Sequence, residues 1–138
     1  MSQAFGGWVL DHHALAPWAR VEPYAQSLVW SAMEVGMAVA VPVAALPLAY
    51  AATPESDHDV LRALLDLPVT LRDPLTEVDA PELGRILASA ADPGALTSDV
   101  LALACVVHSA RRRGWPVLTG SAAALQALDP DLEIDELP

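Results

Sequence analysis

Two carboxylates stand out by where they fall in the chain. Asp11 ends the apolar run Gly7-Trp8-Val9-Leu10, and Asp99 closes the cap-like triplet Thr97-Ser98-Asp99. In an open parallel sheet, sites form beyond the carboxyl ends of the strands, where the loops splay apart. An acid that ends a strand and an acid that opens a helix could meet at such a rim. Converging carboxylates are what Mg²⁺ or Mn²⁺ requires, because hard cations take oxygen ligands. Thr119-Gly120-Ser121 follows another apolar run and would bring hydroxyls to the same rim. His13 offers an imidazole, which is a ligand for Zn or Mn and a candidate base. It adjoins His12, and neighbours point differently, so at most one of the two should face the rim. Plainer uses exist for each. Asp99 suits any helix N-terminus, Asp11 could bond the start of a neighbouring helix, and His13 could be an ordinary loop histidine.

Other reactive side chains carry less. His108 lies nine residues after Asp99. At about 100° per residue it falls half a turn out of phase and faces away from a site built on Asp99. His58 sits in a polar loop, Glu34 precedes the second strand, and Asp92 belongs to the turn Asp92-Pro93-Gly94. Cys105 is the single cysteine, so no intramolecular disulfide can form, which fits a reducing cytoplasm. Its neighbours Ala104, Val106 and Val107 make it a buried structural thiol.

These residues need a scaffold, and the apolar pattern supplies one. Strands are expected at Gly7 to Leu10, Val39 to Val43, Val69 to Arg72 and Pro116 to Thr119, with a last one at Leu132 to Ile134. A short turn or helix closed by Pro17 follows Asp11. Further helices are expected from Glu22 to Met37, Leu46 to Ala52 and Asp59 to Asp66. Others run from a cap at Thr76 to about Ala91, from Thr97 to Arg113 ending at Gly114, and from Ser121 to Leu128. Strands alternating with helices, without hairpin turns, predict a three-layer α/β/α domain with a mostly parallel sheet of four to five strands. At 138 residues, one domain over 1–138 is the natural count.

Composition narrows the functional classes. Eighteen acids face seven bases, every base is Arg, and the net charge is -11. That balance argues against non-specific attraction to a phosphate backbone, where cations supply most of the affinity. Arg111-Arg112-Arg113 is the one dense basic run, and its plainer role is to complement the end of a helix dipole. Five acids crowd the last ten residues and read as a solvated edge. Val35 to Ala52 carries no charge over 18 residues. Pro42, Pro47 and the Ala-Val composition nevertheless argue against a membrane span. No basic segment followed by an apolar core opens the chain, so no signal peptide is expected.

The run Val9-Leu10-Asp11-His12-His13-Ala14-Leu15 resembles the opening of PIN domains, the nuclease fold of VapC-type toxins. Val41-Pro42-Val43-Ala44-Ala45-Leu46 is similar to their second strand. Ser98-Asp99-Val100-Leu101-Ala102-Leu103-Ala104, followed by Gly114-Trp115-Pro116-Val117-Leu118-Thr119, is similar to their third acidic motif and fourth strand. The similarity covers nearly the whole chain, in order. It implies a cytoplasmic, metal-dependent endoribonuclease in which carboxylates hold Mg²⁺ to activate water and grip the scissile phosphate. Asp11 matches the first acid and Asp99 the third. Leu48 stands where a Glu is expected, Ser121 where an Asp is expected, and His13 where a small hydroxyl residue is frequent. The resemblance therefore implies a PIN-like protein with an incomplete metal site, non-catalytic or weakly active, in a binding or regulatory role. Asp11 and Asp99 would be the residual catalytic and metal residues, with His13 as an added ligand for weakly held Mg²⁺ or Mn²⁺. Ser98, Thr119 and Ser121 would bind a ligand. The runner-up is an active Mg/Mn-dependent endoribonuclease toxin of a toxin–antitoxin pair. Implied partners are a second copy in a homodimer, an antitoxin or other protein, and RNA or a small phosphorylated ligand.

Overall fold

The structure, a computed structural model, describes residues 6–89 and 96–138. Strands β1 (Gly7–Leu10), β2 (Ala38–Pro42), β3 (Thr70–Asp73), β4 (Val117–Thr119) and β5 (Ile134–Glu136) form one sheet in the order β3-β2-β1-β4-β5. All four pairings are parallel, with Trp8 opposite Val39, Leu10 opposite Leu118 and Pro42 opposite Asp73. Parallel neighbours cannot be joined by a tight hairpin, so crossovers are required. Among the described residues, seven α-helices run between the strands: α1 (His12–Ala19), α2 (Pro23–Val35), α3 (Leu46–Ala51), α4 (His58–Leu65), α5 (Ala80–Ala88), α6 (Ser98–Arg113) and α7 (Ala122–Leu128).

Side chains alternate across the sheet, and each face has its own helical cover. Leu10, Val39, Val41 and Leu118 pack among residues of α1, α2, α3 and α4. Val9, Ala40 and Val117 point the other way, into α5, α6 and α7. The result is the three-layer α/β/α architecture that the alternation predicts. The central strands are apolar on both faces because both are covered. Small residues let α6 lie close to the sheet: Ala102, Ala104, Cys105, Val106, Val107 and Ala110 are all buried. The charge-free stretch after Val35 divides into β2, a single 3₁₀ turn and α3. No helix among the described residues is long and apolar enough to cross a membrane.

Several boundaries moved for local reasons. α1 runs through Pro17 to Ala19 rather than closing there. Pro17 brings no N–H to the carbonyl four residues earlier, that of His13, and α1 bears this loss within two residues of its end. The last strand begins at Ile134, because its register is set by pairing Ile134, Asp135 and Glu136 with β4. Of the five acids in the tail, Asp131, Glu133, Asp135 and Glu136 are exposed, as expected, and only Asp129 turns inward. Asp129 is buried and accepts from Arg111, and Asp135 accepts from the Trp8 indole at 2.7 Å. α5 ends at Ala88, whereas the expected continuation to Ala91 and the Asp92-Pro93-Gly94 turn lie outside the described residues.

Val21, just after α1, has φ of 59° and is exposed. A β-branched side chain in the left-handed region is strained by about 1–2 kcal/mol, whereas Asn tolerates it. Val21→Asn is therefore expected to stabilise the protein by about 1 kcal/mol. A melting temperature that stays level or falls would show that Val21 makes a compensating contact.

Candidate functional site

Asp11 leaves β1 with an extended backbone and caps α1, its Oδ1 accepting the Ala14 N–H at 3.0 Å. Its other oxygen accepts the Thr119 hydroxyl at 2.5 Å. That hydroxyl in turn accepts the Ser121 N–H at 3.0 Å, so the loop after β4 is tied to the start of α1. Both Asp11 and Thr119 are completely buried. Burial pushes the Asp11 carboxyl up to about 6, against the lowering effects of the Thr119 hydroxyl, the nearby His13 and the backbone N–H groups of Ala14 and His13. Thr119, expected to contact a ligand, is thus engaged inside the fold. Gly120 lies directly over the turn: a Cβ there would stand 2.8 Å from the His13 carbonyl oxygen, the group that Pro17 leaves without a helical donor.

Asp99 arrives from the opposite layer. Thr97, not Asp99, caps α6 by accepting the Val100 N–H at 3.2 Å. The Asp99 carboxylate is therefore free to reach across the rim, where Oδ1 lies 2.6 Å from Nε2 of His12. The His12 and His13 rings stack at 4.1 Å with a 38° tilt. One ligand atom from each of His12, His13 and Asp99 lies within 4.8 Å of the other two. Both histidines join the rim, contrary to the expectation that at most one would. Two adjacent residues at a helix start achieve this because their rings stack instead of diverging. Burial, then the charge of neighbouring His13, push the His12 imidazole below its ordinary value, and Asp99 opposes them only in part. Nδ1 of His12 is buried without a hydrogen-bond partner.

The remaining predicted positions are peripheral. Ser98 is exposed at the start of α6, Ser121 is half-buried with its N–H on Thr119, and Leu48 is half-buried in α3. None adds a carboxylate. The hard Mg²⁺ or Mn²⁺ set implied by the resemblance fits poorly here: both Asp11 oxygens are bonded, and the clustered donors are two imidazoles and one carboxylate.

A second polar cluster went unforeseen. Asp73, at the end of β3, accepts from Ser109 at 2.5 Å and from Arg113, and pairs with Arg112 at 3.3 Å. His108 meets Asp79 at 3.1 Å and lies apart from the Asp99 group. Arg111 pairs with Asp129 at 2.9 Å and Glu82 at 3.8 Å. All three consecutive arginines are therefore in ion pairs. Acids spaced far along the chain gave no local signal of these partnerships. Cys105 is buried, and burial with the Asp79 charge pushes its thiol up, which keeps it unreactive. Compared with known protein families and with curated proteins, the sequence matches none.

Proposed function

We propose that the protein is a PIN-like domain that binds a partner rather than cleaving RNA. The observation that carries this reading is the Asp11 carboxylate, the counterpart of the family's first acid, buried with both oxygens bonded to Ala14 and Thr119. A two-metal nuclease needs carboxylates facing outward to hold ions about 3.5–4 Å apart. Here Leu48 and Ser121 replace two acids, Asp11 faces inward, and only Asp99 remains at the rim. The α/β order of the resembling segments and the approach of β1 and α6 to one rim support the PIN-like part of the proposal.

A protein partner suits the surface better than RNA. The chain carries a net charge of -11, and Arg111, Arg112 and Arg113 are all paired with acids. Few cations are therefore left to displace counterions from a polyanion. The resemblance adds a homodimer, which size-exclusion with light scattering would read directly.

The deciding experiment incubates purified protein with single-stranded RNA in Mg²⁺ and, separately, in Mn²⁺. The expected result is intact RNA, with no difference between the wild type and Asp99→Asn. Metal-dependent cleavage that disappears in Asp99→Asn would replace this reading with the endoribonuclease toxin.

A further inference from the structure

We propose that His12, His13 and Asp99 together bind one divalent transition-metal ion of the Zn²⁺ class. The three side chains are, among the described residues, the one group of His, Cys, Asp and Glu close enough to share an ion. Their chemistry selects the ion. Two imidazole nitrogens and one carboxylate oxygen suit Zn²⁺, Co²⁺ or Ni²⁺, whereas Mg²⁺ demands an octahedron of oxygens. Zn–N and Zn–O bonds near 2.0–2.2 Å place tetrahedral ligand atoms about 3.3 Å apart. The present spacings bracket that value, from 2.6 Å between His12 and Asp99 to a limit of 4.8 Å for the set. Modest side-chain rotation closes the difference, and the Asp99 side chain, 47% exposed, has room for it.

His12 is largely buried and turns Nε2 toward Asp99, so Nε2 is the atom placed to take the ion. Its Nδ1, like Nε1 of Trp18, is buried without a partner within the protein, and an ion on Nε2 would leave both as they are. Backbone placement is firm on the α1 side. Asp11 caps the helix through Ala14, and Gly120 holds the turn against the His13 carbonyl. Three protein ligands leave a fourth position toward solvent, open to water or an anionic oxygen. Because α1 and α6 belong to opposite layers, a shared ion would clamp the sheet rim and raise thermal stability. The site stands on these side chains whether or not the chain is a relative of the PIN family.

The test uses the full chain, free of any polyhistidine tag and stripped of metal, titrated calorimetrically with Zn²⁺, Co²⁺ and Mg²⁺. One Zn²⁺ or Co²⁺ per chain is expected, with no comparable response to Mg²⁺ and a melting temperature that rises on adding Zn²⁺. His13→Ala and Asp99→Ala should each weaken Zn²⁺ binding about tenfold or more. His58→Ala, whose ring bonds the Tyr50 and Thr53 carbonyls, should leave it unchanged. Metal-free melting curves establish that each variant folds, and both altered ligands are partly exposed. Absence of Zn²⁺ binding, equal binding of Mg²⁺, or binding that persists in both ligand variants would overturn the proposal.

Discussion

Asp73→Ala is expected to lower the unfolding free energy by about 3 kcal/mol at pH 7. Asp73 ends edge strand β3 and joins it to α6, accepting from Ser109 and Arg113 and pairing with Arg112. Its side chain is only 11% exposed, and that of Arg113 22%. Removing one member of a largely buried pair strands the other, and such losses run to about 3–5 kcal/mol. The lower end applies because Arg112 is half-exposed and can turn to water. Arg113 also keeps its place over the Trp115 ring, 5.0 Å from the centroid. Burial alone would raise the Asp73 carboxyl, but hydrogen bonds from Arg113 and Ser109 and the two arginine charges outweigh it and hold the group below its ordinary value. A depressed native value means the stabilisation is present above the ordinary carboxylate range and is lost as pH falls through the depressed value. Urea denaturation of both proteins at pH 7 and pH 3 checks this, with the gap between them narrowing in acid. A variant as stable as the wild type at pH 7 would remove Asp73 from any role in holding β3.

Thr119→Val, nearly isosteric, should cost a similar amount at pH 7, about 3 kcal/mol, and this cost too should shrink in acid, although the Asp11 carboxyl it touches is shifted in the opposite sense to Asp73. The Thr119 hydroxyl is the strongest influence holding the buried Asp11 carboxylate down. Taking a donor from a buried charge costs more than the 1–3 kcal/mol typical of a neutral group. Asp11 titrates near 6 in the fold against 3.8 as a free group, so the folded state holds the extra proton between those values. Its contribution is greatest below the unfolded value and declines as pH rises through about 6, by about 3 kcal/mol in all. Without the hydroxyl the native value climbs further, and the decline with pH steepens. At pH 4.5 the penalty should shrink to about 1 kcal/mol, the share of the Ser121 N–H left without its acceptor. Denaturation curves at pH 4.5 and 7 read the difference. Equal losses at both would mean that Thr119 acts only by packing.

Taken together, the two variants probe opposite ends of one design. Asp73 is a carboxylate kept ionised by cations, whereas Asp11 is a carboxylate kept inside the fold by a neutral hydroxyl. Only the second bears on the candidate site, because the Asp11 cap positions His12 and His13. If Thr119→Val loosens that cap, Zn²⁺ binding should weaken with it, although no metal ligand has been changed.

Local pattern along the chain carries the alternation of strands and helices, both buried faces of the central strands, and most helix ends. Thr97 caps α6, Gly36 and Gly114 end α2 and α6 in the left-handed conformation, and Pro23 opens α2. Each depends on neighbours within one turn or on a local period, so it is written where it acts. Asp11 and Asp99 were legible as special for the same reason, one ending a strand and the other opening a helix. What they touch follows from the packing of the layers. Asp11 turned to Thr119, 108 positions away, and Asp99 turned to His12 instead of capping its own helix. Asp73, Asp129 and the three arginines likewise chose partners by strand order and helix rotation. A charged side chain has no period and no preferred neighbour in sequence. Its partner is whichever opposite charge or donor the packed layers bring within about 3 Å, and that is settled only once the core has closed.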